Sequence, residues 1–583
     1  MTPIRTPLRV ANCSGFYGDR FSALREVVTG GPVDVVTGDY LAELTLLILF
    51  RSRAKDPSRG YATTFLRQLE DVLGEVADRG MRVVVNAGGL APAACADAVR
   101  ALAGRLGVAL PVAHVEGDDL MPQVGSLTLD NLDTGEPLGD RTPLTANAYL
   151  GAWGIAAAMD AGAQVVVTGR VTDASLVVGP AASHFGWARD DWDRLAGAVV
   201  AGHVLECGAQ ATGGNYSFVL DEVPDPIHPG FPVAELHDDG SSLITKHPGT
   251  GGAVTVGTVT AQLLYEIASP SYAGPDVVTR FDTISLAQEG PDRVRIDGVR
   301  GGPPTGQIKV AQNMLGGLRN RMEFVLTGLD IDAKAELALA GLRDAYPHPF
   351  EHRLVRLDHP DAATNEQAAA LLKVNVRGDD PSTLGRAFSN AAVELALASY
   401  PGFTLTSPPG NATPYGIYWP ALVPADVVEH VVVHADGGRE IIAHTPGSPT
   451  VQTITADSPA QPGRPAGGDH LGETTRVPLG TLIGARSGDK GGNANVGFWA
   501  RDDAVADWLL GWLDEKAFRA LLPEADGLRV NLYPLPNLRA VNVVVHGLLG
   551  EGVAASTRFD PQAKGLGEYL RSRLVDIPVT LLP

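Results

Sequence analysis

From Leu8 to Thr168 short valine-rich runs alternate with longer amphipathic stretches, and this alternation constrains the fold more than any other feature of the chain. LRVAN (Leu8–Asn12), VDVVT (Val33–Thr37), RVVVN (Arg82–Asn86), VALPVAHV (Val108–Val115) and QVVVT (Gln164–Thr168) are short, rich in Val and bounded by turn residues, and read as buried strands. Between them the spacing predicts helices over Phe21–Thr29, Tyr61–Arg79, Pro92–Leu106 and Ala146–Ala161. The clearest stripe is Phe65, Leu69, Val72, Leu73 and Val76. Strands bounded by helices form βαβ units, so the expectation is an α/β domain with a mostly parallel sheet flanked by helices.

The rest of the chain divides by composition. Residues 1–444 read as one large α/β domain, with a more mixed portion from about Tyr216 that has the character of a second subdomain. Thr445–His470 is crowded with Pro, Gly, Ser and Thr and reads as a linker. Residues 471–583 follow the order two strands, helix, two strands, helix, which suits a small ferredoxin-like α+β domain. Of the 583 residues, 44% are hydrophobic and 19% charged, the balance of a globular protein. A formal charge of −21 repels phosphate backbones and anionic lipid, which argues against nucleic-acid and membrane partners. Three scattered cysteines exclude a disulfide framework and fit a cytoplasmic location. The apolar run Leu44–Phe50 is too short to span a bilayer.

In a parallel sheet, ligands bind beyond the carboxyl ends of the strands. Five successive strand ends carry Gly beside acidic, amide or basic residues. Ser14 and Gly15 follow the first strand and Asp39 the second. Asn86 and Gly88 lie at the third, Glu116–Asp119 at the fourth, and Arg170 and Asp173 at the fifth. Arg170 is a candidate clamp for a carboxylate or thioester oxygen. Asp39 and Asp173 are candidate proton-transfer groups, although Asp173 is equally suited to cap the helix that begins near Ala174. The loop Asn12–Asp19 lacks the full dinucleotide spacing, so no nicotinamide cofactor is expected. Further on, Gln210 and Asn215 stand in a glycine-rich stretch after Cys207. That cysteine sits at a helix C-terminus, whose dipole raises a thiol pKa and disfavours a nucleophilic role. The histidines are scattered and no metal site is expected. In the C-terminal part Arg486, Ser487, Lys490 and Asn493 lie in a basic, glycine-rich segment suited to an anion, or to a hairpin whose charges pair at the surface.

NCSGFYGDR, VDVVTGDYLAELTL, NAGGLAP, VVVTGRVTDASLVVGPA and HVLECGAQATGGNYS resemble the acyclic terpene utilization AtuA-like family. PLGTLIGARSGDKGGNANVGFWA and VVHGLLGEGVAASTRFDPQAKGLGEYLRSR resemble the ferredoxin-fold domain that accompanies it. The resemblance implies a role in the breakdown of acyclic terpenes, a pathway of branched acyl-CoA thioesters in which some members are labelled hydroxyacyl-CoA lyases. It carries over no catalytic residue. The chain lacks the H-x-H metal motif of barrel-type lyases. The expectation is an enzyme acting on a small anionic acyl-CoA or carbonyl substrate, the coenzyme A thioester being part of the substrate and no cofactor being required. Homo-oligomerisation and association with acyl-CoA enzymes are expected. The alternative is a non-catalytic ligand-binding or scaffold subunit that recruits a partner enzyme.

Overall fold

The computed structural model describes residues 6–448 and 472–583, so the expected linker lies, from residue 449 on, outside the described residues. The five valine-rich runs are strands β1 (Leu8–Asn12), β2 (Val35–Gly38), β3 (Arg82–Val85), β4 (Val112–Glu116) and β5 (Val165–Thr168). They pair in parallel in the spatial order β1-β2-β3-β5-β4. Alternate residues face opposite layers. Val10, Val35, Val84 and Val166 pack on helices α1 (Ser175–Phe185) and α2 (Trp192–Leu205). Ala11, Val36, Val83, Val85 and Val167 pack on Val27, Phe65, Leu69 and Val99 of the other face. Both faces are covered, which is why these strands read as continuous apolar runs.

The sheet as a whole is mixed rather than mostly parallel. Pro232–Leu236, Ser242–Lys246, Arg293–Asp297 and Ser285–Gly290 extend it antiparallel beyond β1. Val431–Val433 and Arg439–Ile441 extend it beyond β4 in the same sense. The reason is connection length: the turn His237–Ser241, with Gly240 at φ +86°, is too short to hold a crossover helix. Two helical expectations also change. Tyr61–Arg79 breaks into Thr63–Glu70 and Leu73–Asp78. Of Ala146–Ala161 only Trp153–Asp160 is helical, because Pro143–Ala148 is drawn into a strand.

The described residues form two compact units, residues 6–313 with 418–448 and 472–583, and Met314–Ile417. In the second, Ile331–Ala345 and Phe388–Glu394 pack on an antiparallel sheet through Phe324, Leu339, Leu342 and Phe388. Within the first, the C-terminal part is a four-stranded antiparallel sheet in the order Ile483–Lys490, Asn493–Ala500, Ala540–Val545, Val530–Leu535. The helices Asp503–Trp512, Glu515–Leu521 and Leu566–Arg571 pack with it around Phe498, Leu509, Phe518 and Leu570. Among the described residues no helix is long and apolar enough to cross a membrane.

Gly117, just past β4, has φ +107°, and a Cβ there would lie 1.6 Å from the Glu429 carbonyl oxygen. Left-handed strain and overpacking act together, so Gly117→Ala should destabilise the protein by roughly 2–5 kcal/mol. Chemical denaturation checks this; a midpoint equal to wild type would show that the two backbones separate freely.

Candidate functional site

The loops after β2, β3 and β5 meet in one buried polar cluster. Asn86 follows β3 with its side chain turned to the β2 loop, where Oδ1 accepts from the Tyr40 N–H at 2.7 Å and Nδ2 donates to Asp39 Oδ1 at 2.5 Å. The same Asp39 oxygen accepts from the Leu41 N–H at 3.2 Å. Arg170 reaches over from the β5 loop and donates from Nη1 to the Leu41 carbonyl at 3.0 Å. Its guanidinium lies 4.1 Å from the centre of the Tyr149 ring and 2.9 Å from Asp173 Oδ1. Asp173 thus serves Arg170: the helix it precedes has Ala174 at its N-cap and no side-chain cap. Beneath, Asp118 Oδ2 accepts from the Arg170 N–H and from Asn147 Nδ2, both at 2.8 Å.

The electrostatics follow from burial. Asp39 is pushed well above the usual carboxylate range, first by loss of water and then by the charge of Asp173. Arg170 and the Asn86 hydrogen bond oppose the shift without cancelling it. Burial also raises Asp118, to about 7, against two hydrogen bonds that favour its charged form. A third buried carboxyl, Glu206, follows α2 and is raised by burial, while His203 pulls it down. Burial and the charges of Glu206 and Glu266 push the Cys207 thiol up, the direction that its place at a helix end implies.

The C-terminal strands complete the cluster. Arg486 lies 4.5 Å from the Tyr265 ring centre and donates to the Asn215 carbonyl at 3.2 Å. Lys564 also lies against that ring and pairs with Glu266 at 2.9 Å. Lys490 donates to the Glu266 carbonyl at 2.8 Å, and its ammonium is 5.5 Å from the Tyr272 ring centre. The glycine-rich segment is mostly strand, turning at Gly491–Gly492. The anion at that turn is the protein's own: Asp133 accepts from the Gly492 N–H and from Asn493 Nδ2.

The structure therefore brings together Asp39, Asn86, Arg170 and Asp173, and sets Arg486 and Lys490 around Tyr265–Glu266. It gives other candidates packing roles. Ser487 is occupied by the Ala563 carbonyl and the Gly567 N–H. Ser14 hydrogen-bonds its own turn. Gly15 lies against the Cys207 backbone, and Gly88 lies where a Cβ would meet the Thr168 carbonyl oxygen at 2.4 Å. Asn215, at φ 57°, contributes its carbonyl, and Gln210 has a buried Oε1 without a partner. Glu206, Glu266, Tyr149, Lys309 and Lys564 belong to the cluster but carry no local motif; Lys309 is 4.9 Å from the Tyr149 ring centre. Among the described residues no three His, Cys, Asp or Glu side chains are grouped to hold a metal ion. A surface depression of about 490 Å³ lies at the opposite end of the strands, beside Leu8, Val33, Val35 and Arg82, and includes none of these groups.

The fold and cluster define a mixed α/β protein with buried carboxyl and guanidinium groups at its strand ends and a small antiparallel domain laid against them. The chain belongs to the AtuA family: the family described as acyclic terpene utilisation family protein AtuA matches residues 8–434, and the AtuA ferredoxin-like domain matches residues 477–576. No curated protein and no solved structure matches it.

Because the folded protein holds a proton on Asp118 more tightly than the unfolded chain does, this group's contribution to stability is complete below about pH 4 and is lost as pH rises to about 7. The loss amounts to about 4 kcal/mol at most. Asp118→Asn should therefore lose less thermal stability than wild type between pH 5 and pH 8. Melting curves across that range test this, and parallel curves for the two proteins would refute the assignment.

Proposed function

We propose that this chain is an enzyme of acyclic-terpene or branched-chain catabolism that acts on a small acyl-CoA or carbonyl substrate by lyase-type acid–base chemistry. One observation carries the proposal: Asp39, a buried carboxyl raised above its usual range, is pinned by Asn86 beside an Arg170 stacked on Tyr149. Raised carboxyls beside a fixed cation are the equipment of proton transfer at carbon next to a carbonyl. In a 3-hydroxyacyl thioester a base takes the hydroxyl proton, and the O–H electron pair becomes the new carbonyl bond. The C2–C3 bond breaks, and its electrons move onto the thioester oxygen. Arg170, held by Asp173 and the Leu41 carbonyl, meets that oxyanion in a site short of water, where a fixed cation acts at full strength. Asp39 returns a proton to C2. Arg486, Lys490 and Lys564 supply a positive rim that draws an anionic substrate to a chain of net charge −21.

Wild-type protein is incubated with a panel of branched 3-hydroxyacyl-CoA thioesters, the products are read by mass spectrometry, and binding is followed by thermal shift with free CoA and dicarboxylates as controls. Cleavage is expected in wild type, with Asp39→Asn slower by about 10²–10⁴-fold, the usual contribution of a proton-transfer group. Thermal shifts without cleavage of any thioester would rule out the lyase reading. Cys207→Ser should keep most of the activity, because a thiol raised in pKa makes a poor nucleophile. A thousandfold loss in a folded variant would reinstate covalent catalysis.

A further inference from the structure

Acid–base cleavage needs two proton-transfer groups, and the proposal above names one. Asp173 is committed to Arg170. Glu206 is not so committed. Its backbone is fixed, because Asn12 Nδ2 donates to the carbonyls of both Leu205 and Glu206, at 2.7 and 2.9 Å, tying the end of α2 to the end of β1. Its side chain is 9% exposed and meets His203, whose Nδ1 is 3.3 Å from Oε1. The imidazole is buried between Tyr272 and Phe281, with ring centres 5.8 and 5.5 Å away, and neither nitrogen makes a well-directed hydrogen bond. A buried ring in that state is costly and calls for an explanation. Contact with Glu206 supplies one.

We infer that Glu206 is the carboxylate that takes the hydroxyl proton and that His203 is the positioning residue that keeps it ready, so that Asp39 and Glu206 are the acid and base of one site. The inference rests on the lyase reading. Protons balance: Glu206 gains one from the hydroxyl as Asp39 gives one to C2, and exchange with solvent resets both. The groups whose charge bears on Glu206 come from every neighbouring element: His203 on its own helix, Asp173 after β5, Asp39 after β2, and Glu266 after helix Val256–Leu263. Cys207 and Tyr272 are in turn raised by Glu206. His203 and burial oppose one another at Glu206, and His203 favours the ionised form that a base requires.

Three measurements test this. With a thioester that wild type cleaves, Glu206→Gln should lower kcat by at least 100-fold. His203→Gln should move the acidic limb of the kcat/KM profile to higher pH with KM unchanged, an effect that a merely structural histidine would not produce. Independently of turnover, iodoacetamide labelling of the half-buried Cys207 at pH 8 should be several-fold faster in Glu206→Gln, because one charge that raises the thiol is gone. Full turnover in Glu206→Gln beside an inactive Asp39→Asn overturns the inference and leaves the lyase reading standing. Unchanged Cys207 labelling in Glu206→Gln also overturns it, since the carboxylate then does not charge the site. Absence of cleavage by wild type removes the lyase reading and this inference together.

Discussion

Three buried side chains at or beyond the ends of the central strands, Asn12, Asn86 and Asp118, satisfy backbone groups of the neighbouring turns and helix end, and the candidate site depends on that satisfaction. Each strand that stops at a loop leaves N–H and carbonyl groups that must find partners away from water. Asn12 takes the two carbonyls at the end of α2, Asn86 takes the Tyr40 N–H, and Asp118 takes the Arg170 N–H. The candidate residues Asp39 and Arg170 are therefore held by the same contacts that terminate the sheet. Asp39 and Arg170 are oriented because the turns that carry them cannot relax, which is the preorganisation that low-dielectric chemistry requires.

The C-terminal domain extends the same principle through side-chain amides. Asn495 accepts from the Glu266 N–H and donates to the Leu264 carbonyl, and Asn542 donates to the carbonyls of Ile267 and Ala268. The two amides also meet each other at 2.7 Å. They treat the segment 264–268 as a strand treats its neighbour, and Glu266 sits there at φ 55°, a conformation that a non-glycine residue keeps only where its surroundings impose it. The C-terminal domain thus works as a clamp on one wall of the site.

Much of this could be read from the residues alone, for physical reasons. The apolar runs of β1–β5 are short and unbroken because both faces are covered, so the strands and their common end emerge directly, and with them Asp39, Asn86, Arg170 and Asp173. The antiparallel edges did not emerge, because a short hairpin turn after β5 leaves no mark on the pattern of the earlier strands. Glu206, Tyr149, Lys309, Glu266 and Lys564 were invisible as site members. Each becomes one through contacts with distant parts of the chain, and no local spacing records such contacts. Arg486 and Lys490 were legible as a basic segment, yet the anion that fills the glycine turn is Asp133, far away in sequence. Ser487 and Gly88 show the converse error: small residues in a glycine-rich stretch read as binding groups when close packing is what requires them.

Lys564 and Glu266 are 298 positions apart in the chain, and Asn542 and Ile267 are 275 apart. The five central strands and the residues Asp39, Asn86, Arg170 and Asp173 therefore precede, by a long stretch of chain, the part that clamps 264–268. Contacts of such sequence separation form late and slowly. The wall at 264–268 is therefore completed by contacts that close very long loops, and folding of the large sheet alone does not supply them.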